Sequence, residues 1–338
     1  MGIVFKCQSE GAIYIMNIGD SVTLSIVCLV YNHEPYLRQA LNSLIMQKIS
    51  YSFEVILGED HSTDNSRVIL VEYEQKHPGF FTMFYRDENM GATSNGYDLL
   101  KRTKGKYISI LETDDYFLDP YALQKQIDFL ENNPEYIGVS HDYVMVDENM
   151  NPYEETFTKK EFINKPVSLK DFLKYGRVAR LSCGVFRNFM LDGDDYSIIK
   201  TAHSFIGDHI ITSILLSRGD FFILPYALSV YRRITIIGGG SAASIMVSDM
   251  PKYIYDYICM LNKAETFFHG KIRYEKMRSD HISIYIHGWL RHKNGFTFSQ
   301  LVCLLKNTSL HVHWNIVKFI MGYPGRIIKK LLRGFKRK

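Results

Sequence analysis

The chain has 338 residues, 46% hydrophobic and 22% charged, which suits a globular protein of one large or two modest domains. Its net charge of +4 hides an asymmetry: residues 281–338 hold eleven Lys and Arg and no Asp or Glu, so residues 1–280 carry a balance of −7. An acidic body speaks against nucleic acid as a partner. Five scattered cysteines (Cys7, Cys28, Cys183, Cys259, Cys303) without CxxC spacing speak against a zinc ribbon or disulfide framework and for a reducing compartment.

Residues 1–20 read as an N-terminal extension without the layout of a signal peptide, and a second methionine, Met16, precedes the first patterned segment. TLSIVCLVY (23–31) is a short, β-branched apolar run and predicts a buried strand. YLRQALNSLIMQ (36–47) sets Leu37, Leu41, Leu44 and Ile45 at helical spacing. FEVILG (53–58) predicts a second strand, DNSRVILVEYEQKH (64–77) a second helix, and FTMFYR (81–86) a third strand. SNGYDLLKRT (94–103) predicts a helix and KYISIL (106–111) a fourth strand. Asp119 and Pro120 then give an N-cap and a proline at the first helical position, opening YALQKQIDFLENN. Further on, SLKDFLKYG (168–176) predicts a helix and RLSCGVFRN (180–188) a strand. FIGDHIITSILLSRG (205–219) opens a helix that carries Asp208, and the strand FFILPYALSVYR leads to a glycine run, GGGS (238–241).

Strands alternating with helices imply parallel crossovers and an α/β sheet covered on both faces. Ligands of such sheets bind beyond the carboxyl ends of the strands. Those ends are YNHEP (31–35), GEDHSTDNS (58–66), RDENMGATSN (86–95) and ETDD (112–115), all rich in carboxylates, amides, hydroxyls and glycine. Each alone is an ordinary polar loop; four on one edge suggest a shared polar ligand site. Asp114 and Asp115 suit a hard divalent cation, held by one or two carboxylates with water and phosphate completing its shell, and Glu112 is a possible helper. A local turn is the competing reading of the pair. Glu59 and Asp60 could accept from a nucleobase imide or a ribose hydroxyl, while Ser62, Thr63 and Asp64 start the next helix.

In order and spacing, SIVCLVYNHEPYLRQALNSLIMQ, FEVILGEDHSTDNS, NMGATSNGYDLLKRTKGKYISILETDDYF and the later GDH resemble the family 2 glycosyltransferases of GT-A fold over residues 22–240. The resemblance implies a Rossmann-like, mainly parallel sheet flanked by helices over 21–240, followed by a helical region over 241–338. It also implies inverting, metal-dependent transfer of a sugar from a nucleotide-sugar, with UDP-sugars favoured, to a glycan or glycolipid hydroxyl. Mg²⁺ or Mn²⁺ is the implied cofactor. Tyr31, Glu59, Asp60, Asn89, Asp114 and Arg232 then belong to the nucleotide-sugar site, Asp114 and Asp115 to the metal, and Asp208 is the catalytic base. The chain departs from the family pattern at Leu29-Val30, where Pro-Thr is usual, at His61, where a small residue is common, and at Glu112, the first place of D-x-D. The spacer after Arg232 is also longer than in many relatives.

A sugar nucleotidyltransferase is the alternative enzyme, but it would carry a Gly-rich, Lys/Arg-containing loop where this chain has YNHEP. A non-catalytic nucleotide-sugar-binding module at a membrane is the other alternative. In the tail, 314–338, Ile327, Ile328, Leu331, Leu332 and Phe335 share one helical face and Lys329, Lys330, Arg333, Lys336 and Arg337 the other. That pattern fits an interfacial helix on anionic lipid, the competing reading being an amphipathic helix packed on the domain with a frayed basic end; the first implies a cytoplasmic protein held at the inner face of the cell membrane. His287, His292, His311 and His313 lack cysteine or carboxylate partners at ligand spacing and do not read as a zinc site.

Overall fold

The computed structural model describes residues 22–176, 178–234, 246, 248–291, 295–306, 308 and 316. By its contacts the chain divides into two compact units, Met1–Ala243 and Ser244–Lys338. The N-terminal extension, the glycine run and, apart from Ile316, the basic tail lie outside the described residues.

Unit one opens as the pattern predicts. β1 (Leu24–Val30) is apolar on both faces because helices cover both, and six of its seven residues are buried. α1 (Glu34–Ile45) carries Pro35 in its first turn, where no donor is lost, and buries Leu37, Ala40, Leu41 and Leu44 on one face. β2 (Phe53–Glu59), α2 (Ser66–Lys76), β3 (Phe81–Tyr85), α3 (Ala92–Leu100) and β4 (Tyr107–Glu112) follow within a few residues of the expected bounds. The N-termini of α1 and α2 are stitched together. Asp64 accepts the Glu34 N–H at 2.9 Å, and Glu34 accepts the Asn65 N–H at 3.1 Å. Each carboxylate thus satisfies donors that a helix start leaves open.

β5 (Tyr116–Phe117) precedes α4 (Ala122–Asn132), whose N-cap position is Tyr121 rather than Asp119. Asp119 supports that start from one turn earlier, accepting the Tyr121 N–H at 2.7 Å. β6 (Tyr136–Val146) has no counterpart in the pattern reading, since Gly138, His141 and Asp142 interrupt its alternation and its pairing is irregular at those residues. β7 (Lys165–Val167) leads to α5 (Leu169–Tyr175), which opens on a Ser168/Asp171 capping box. β8 is shorter than expected (Val185–Arg187), because residues 180–184 turn through Cys183 at φ 63°. α6 (Ile198–Thr201), α7 (Asp208–Leu216) and β9 (Asp220–Arg232) complete the unit.

The sheet order is β3-β2-β1-β4-β8-β6-β9-β5, with β7 also on β9. β1 to β4 are parallel, and β8 is antiparallel to both β4 and β6, so β6 and the parallel β9 run in the same direction as β4. The carboxyl ends of β1, β2, β3, β4, β6 and β9 therefore share one edge. Register makes this concrete: Val30 lies opposite Glu59, Glu59 opposite Tyr85, and Leu29 opposite Glu112. The core beneath includes Leu24, Ile26, Cys28, Leu57, Tyr107, Leu111, Phe117 and Leu123. Each such aliphatic side chain contributes about 1.5–3 kcal/mol of burial energy.

Unit two contains α8 (Met250–Phe267), α9 (Glu275–Leu290) and α10 (Phe298–Lys306) around Ile254, Ile258, Ile282, Tyr285, Ile286, Leu301 and Leu304. Trp289 packs against this core, and His281 stacks on Tyr257 at 3.9 Å. Among the described residues, no helix is long and apolar enough to cross a membrane. His292, His311 and His313 lie outside those residues.

Candidate active site

The acidic turn follows β4. Asp115 N–H closes it onto the Glu112 carbonyl at 2.8 Å. Thr113, fully buried, donates its hydroxyl to the Leu29 carbonyl at 2.8 Å and lies 2.8 Å from His33 Nδ1. With its own proton committed to Leu29, the threonine accepts, so Nδ1 of His33 donates. Burial lowers the His33 pKa to about 4, against the opposing pull of Asp64, and keeps the ring neutral near pH 7.

The two aspartates have different surroundings. Asp115 is fully buried and has both oxygens engaged: Oδ2 with Arg180 Nη2 at 2.6 Å and Ser182 Oγ at 2.8 Å, and Oδ1 with the Arg232 N–H at 2.9 Å. Burial raises its pKa, opposed by Arg180, the Arg232 amide and Ser182. Asp114 is 6% exposed, and its buried Oδ1 has no hydrogen-bond partner. Burial first, then Asp115 and Glu112, push the Asp114 carboxyl well above its usual range. Ligand oxygens of Glu112, Asp114 and Asp115 lie within 4.8 Å of one another, the one such group of three among the described residues. An all-oxygen donor set with an orphaned buried oxygen fits a hard divalent cation. Asp115, expected beside Asp114 at the metal, offers an oxygen to this group while its two oxygens also accept from Arg180, Ser182 and the Arg232 N–H.

At the β2 end the paired acids again divide. Asp60 is buried and accepts the Met90 N–H at 2.8 Å, tying the β2 end to the loop before α3; burial raises its pKa against that bond. Glu59, expected at the nucleotide, is held by protein partners. It is 1% exposed, accepts the Ser62 N–H at 2.6 Å, and pairs with Arg67 at 2.5 Å. Tyr31 is half-buried at the β1 end, next to Asn32, whose side chain accepts the Thr63 N–H at 2.8 Å. His61 explains the usual small residue by its backbone: it adopts φ 59°, where a Cβ is disfavoured. Asn89 is exposed in the 86–91 loop and turns its side-chain oxygen onto the Gly91 N–H at 3.0 Å.

Arg232 stands at the β9 end, as expected, but is 3% exposed and does not project as a mobile cation. Its guanidinium donates to the Asp114 carbonyl and to Gln39, and lies 4.7 Å and 5.1 Å from the Tyr36 and Tyr116 rings. In this structure it braces the acidic turn. Asp208 is the first residue of α7, half-buried, with Gly207 at the N-cap and the His209 N–H bonded to its Oδ1 at 3.0 Å. The loop before it is fastened to the start of α3, since Thr93 donates to the His203 carbonyl at 2.7 Å. Asp208 and the Asp60 loop are thus tied through the same helix.

Pattern reading missed Arg180, Ser182, His33 and Thr113. For Arg180 and Ser182 the available signal was RLS, an arginine and a hydroxyl directly before a short apolar strand, while His33 and Thr113 sit within the polar strand ends YNHEP and ETDD. Their partners are distant in sequence, so spacing rules do not find them.

Residues 25–189 match the family model described as Glycosyl transferase family 2. An uncharacterised protein of Mycobacterium tuberculosis is 38% identical over 112 residues, 33% of this chain and 32% of that protein. A poly(ribitol-phosphate) beta-glucosyltransferase of Bacillus spizizenii is 32% identical over 111 residues, 32% of this chain and 17% of that one. The chain thus spans about a third of the length of the first relative and less of the second. In fold it is similar to S. aureus TarS, crystallised in complex with UDP-GlcNAc, with a TM-score of 0.54 and 16% identity, covering 90% of this chain and 83% of that one. With the acidic turn, the strand-edge site and the family match in agreement, residues 25–189 form a family 2 glycosyltransferase domain on a fold similar to that of TarS.

Proposed function

We propose that this chain transfers a sugar from a nucleoside-diphosphate sugar to a hydroxyl of a polysaccharide or lipid-linked acceptor, with inversion. The observation that carries this reading is the orphaned Oδ1 of Asp114, buried beside Glu112 at the edge where the strands end. Uridine is the favoured base, since TarS was crystallised with UDP-GlcNAc, and the glucosyltransferase relative acts on a poly(ribitol-phosphate).

Tyr31, Asp60 and Asn89 line the nucleotide end, and Arg232 fixes the turn against which the diphosphate lies. Asp208 takes the acceptor hydroxyl proton. The oxygen so activated bonds to the anomeric carbon as the bond to the diphosphate oxygen breaks, and the electron pair leaves with the nucleotide. Mg²⁺ or Mn²⁺ on Asp114, with Glu112 beside it, would supply Lewis-acid stabilisation of the departing diphosphate. The basic tail, outside the described residues, holds the enzyme on anionic lipid at the inner face of the cell membrane.

The test is hydrolysis of nucleotide-sugars by the full chain, with and without Mn²⁺, with the anomer released followed by NMR. Release of the inverted anomer, dependent on Mn²⁺ and lost in Asp208→Asn, is the expected result. Metal-independent release or a retained anomer would overturn the mechanism, and no release from any nucleotide-sugar would favour the binding-module reading.

A further inference from the structure

We propose that Arg180 is a positioning residue: its ion pair with Asp115 is a buried strut that holds the 113–115 turn so that Asp114, and not Asp115, presents a bare oxygen to a divalent cation. This rests on the metal-assisted reading above.

The strut is anchored at both ends. On the Arg180 side, the guanidinium lies 3.8 Å from the Tyr231 ring centre and 4.9 Å from that of Tyr143, and the Arg180 N–H donates to Ser140 Oγ at 3.2 Å. A delocalised planar cation between two rings has little freedom to move. The segment behind it is a rigid seat. Cys183 N–H bonds to the Ile110 carbonyl at 2.7 Å, and the Cys183 carbonyl meets Gln126 Nε2 at 3.0 Å and His141 Nε2 at 3.1 Å. A Cβ on Gly184 would lie 2.8 Å from the Arg180 carbonyl, so the turn admits no larger residue without moving Arg180.

On the Asp115 side, the carboxylate is held from two directions, by the 180–182 segment and by the Arg232 amide. The Arg232 side chain then fixes the Asp114 carbonyl. Successive residues of a turn point in different directions, so pinning Asp115 inward settles where the Asp114 carboxylate goes. The pair also balances the charge of Asp115 within the protein, leaving Asp114 and Glu112 to a cation. A buried ion pair adds little to stability but fixes geometry, and residues supporting a metal ligand in this way typically change metal affinity by about 10–100-fold.

The experiment measures Mn²⁺ affinity by electron paramagnetic resonance in the presence of saturating UDP, and UDP affinity without metal by calorimetry, on the full chain. In Arg180→Met the Mn²⁺ Kd should rise about 10–100-fold, with metal-free UDP affinity unchanged. Arg180→Lys, which keeps the charge and is the milder change should Arg180→Met fail to fold, should fall between the two. Asp115→Asn combined with Arg180→Met should recover part of the loss, because no uncompensated buried charge remains. Unchanged Mn²⁺ affinity in both single Arg180 variants would overturn the strut. Tighter Mn²⁺ binding would overturn it too, by showing that Asp115 becomes a ligand once released. A wild-type chain that binds UDP but no Mn²⁺ would overturn the metal reading itself and the strut with it.

Discussion

Arg232 grips both members of the acidic pair: its backbone N–H bonds to the Asp115 carboxylate at 2.9 Å, and its side chain donates to the Asp114 carbonyl. The last residue of β9 thereby fixes the turn that ends β4, 117 residues away in sequence. Its guanidinium also holds Gln39 of α1. Truncating it should loosen the turn: in Arg232→Ala the Mn²⁺ affinity measured with UDP falls, and the melting temperature drops as well. Loss of one charged hydrogen-bond partner costs about 1.5–3 kcal/mol. Thermal melts and metal titrations on the same protein separate the two effects.

Asp208→Asn keeps the size of the side chain and removes its capacity to take a proton. Transfer should fall about 10²–10⁴-fold, while UDP affinity stays within about twofold, since no nucleotide contact is altered. Near-wild-type transfer by this variant, measured at saturating donor and acceptor, would refute Asp208 as the base.

The metal-free protein should become more stable when Asp114 loses its charge. Its folded pKa is raised by burial and by neighbouring carboxylates, so its favourable contribution exists only at low pH and is lost as pH rises through that folded value. At pH 7 and above, Asp114→Asn should therefore melt higher than wild type without metal, by about 2–4 °C per kcal/mol recovered. The gap should narrow as pH falls. Scanning calorimetry from pH 5 to 8 with a chelator present reads the effect directly, and added Mn²⁺ should stabilise wild type only.

Glu59 offers a contrast. As a buried carboxylate bonded to Ser62 N–H and Arg67, its loss should appear as instability and not as altered recognition. Glu59→Gln should cost about 1–3 kcal/mol in denaturant unfolding and leave UDP affinity unchanged once folded protein is counted. A selective loss of UDP binding at unchanged stability would restore Glu59 to the nucleotide site.

Deleting residues 314–338 should release the protein from anionic vesicles and leave it on neutral ones no more weakly than before. Each Lys or Arg near an anionic surface contributes about 1 kcal/mol, so sedimentation with phosphatidylserine vesicles should show a loss that grows as salt is lowered. Equal vesicle binding with and without the tail would place the membrane contact elsewhere.

Local pattern determined the first half of unit one. β1 and β4 announce themselves as short apolar runs because helices bury both their faces, and α1 by four apolar residues on one stripe. Since parallel strands end on one edge, the polar stretches after them, which carry Tyr31, Asp60 and Asp114, were bound to meet. The roles within each acidic pair were not legible in the same way. Glu59 and Asp60, like Asp114 and Asp115, are equivalent as letters, and what separates them is which one folding turns toward an arginine. Arg67 takes Glu59 and Arg180 takes Asp115, and Arg180 comes from a segment that reads as strand but turns at Cys183. β6 was equally hidden, because a bulged strand with Gly138, His141 and Asp142 breaks the alternation that would reveal it. Periodicity reports which face of an element is buried, whereas the partner of a buried charge is set by long-range packing, so only the tertiary structure could decide which aspartate was left bare.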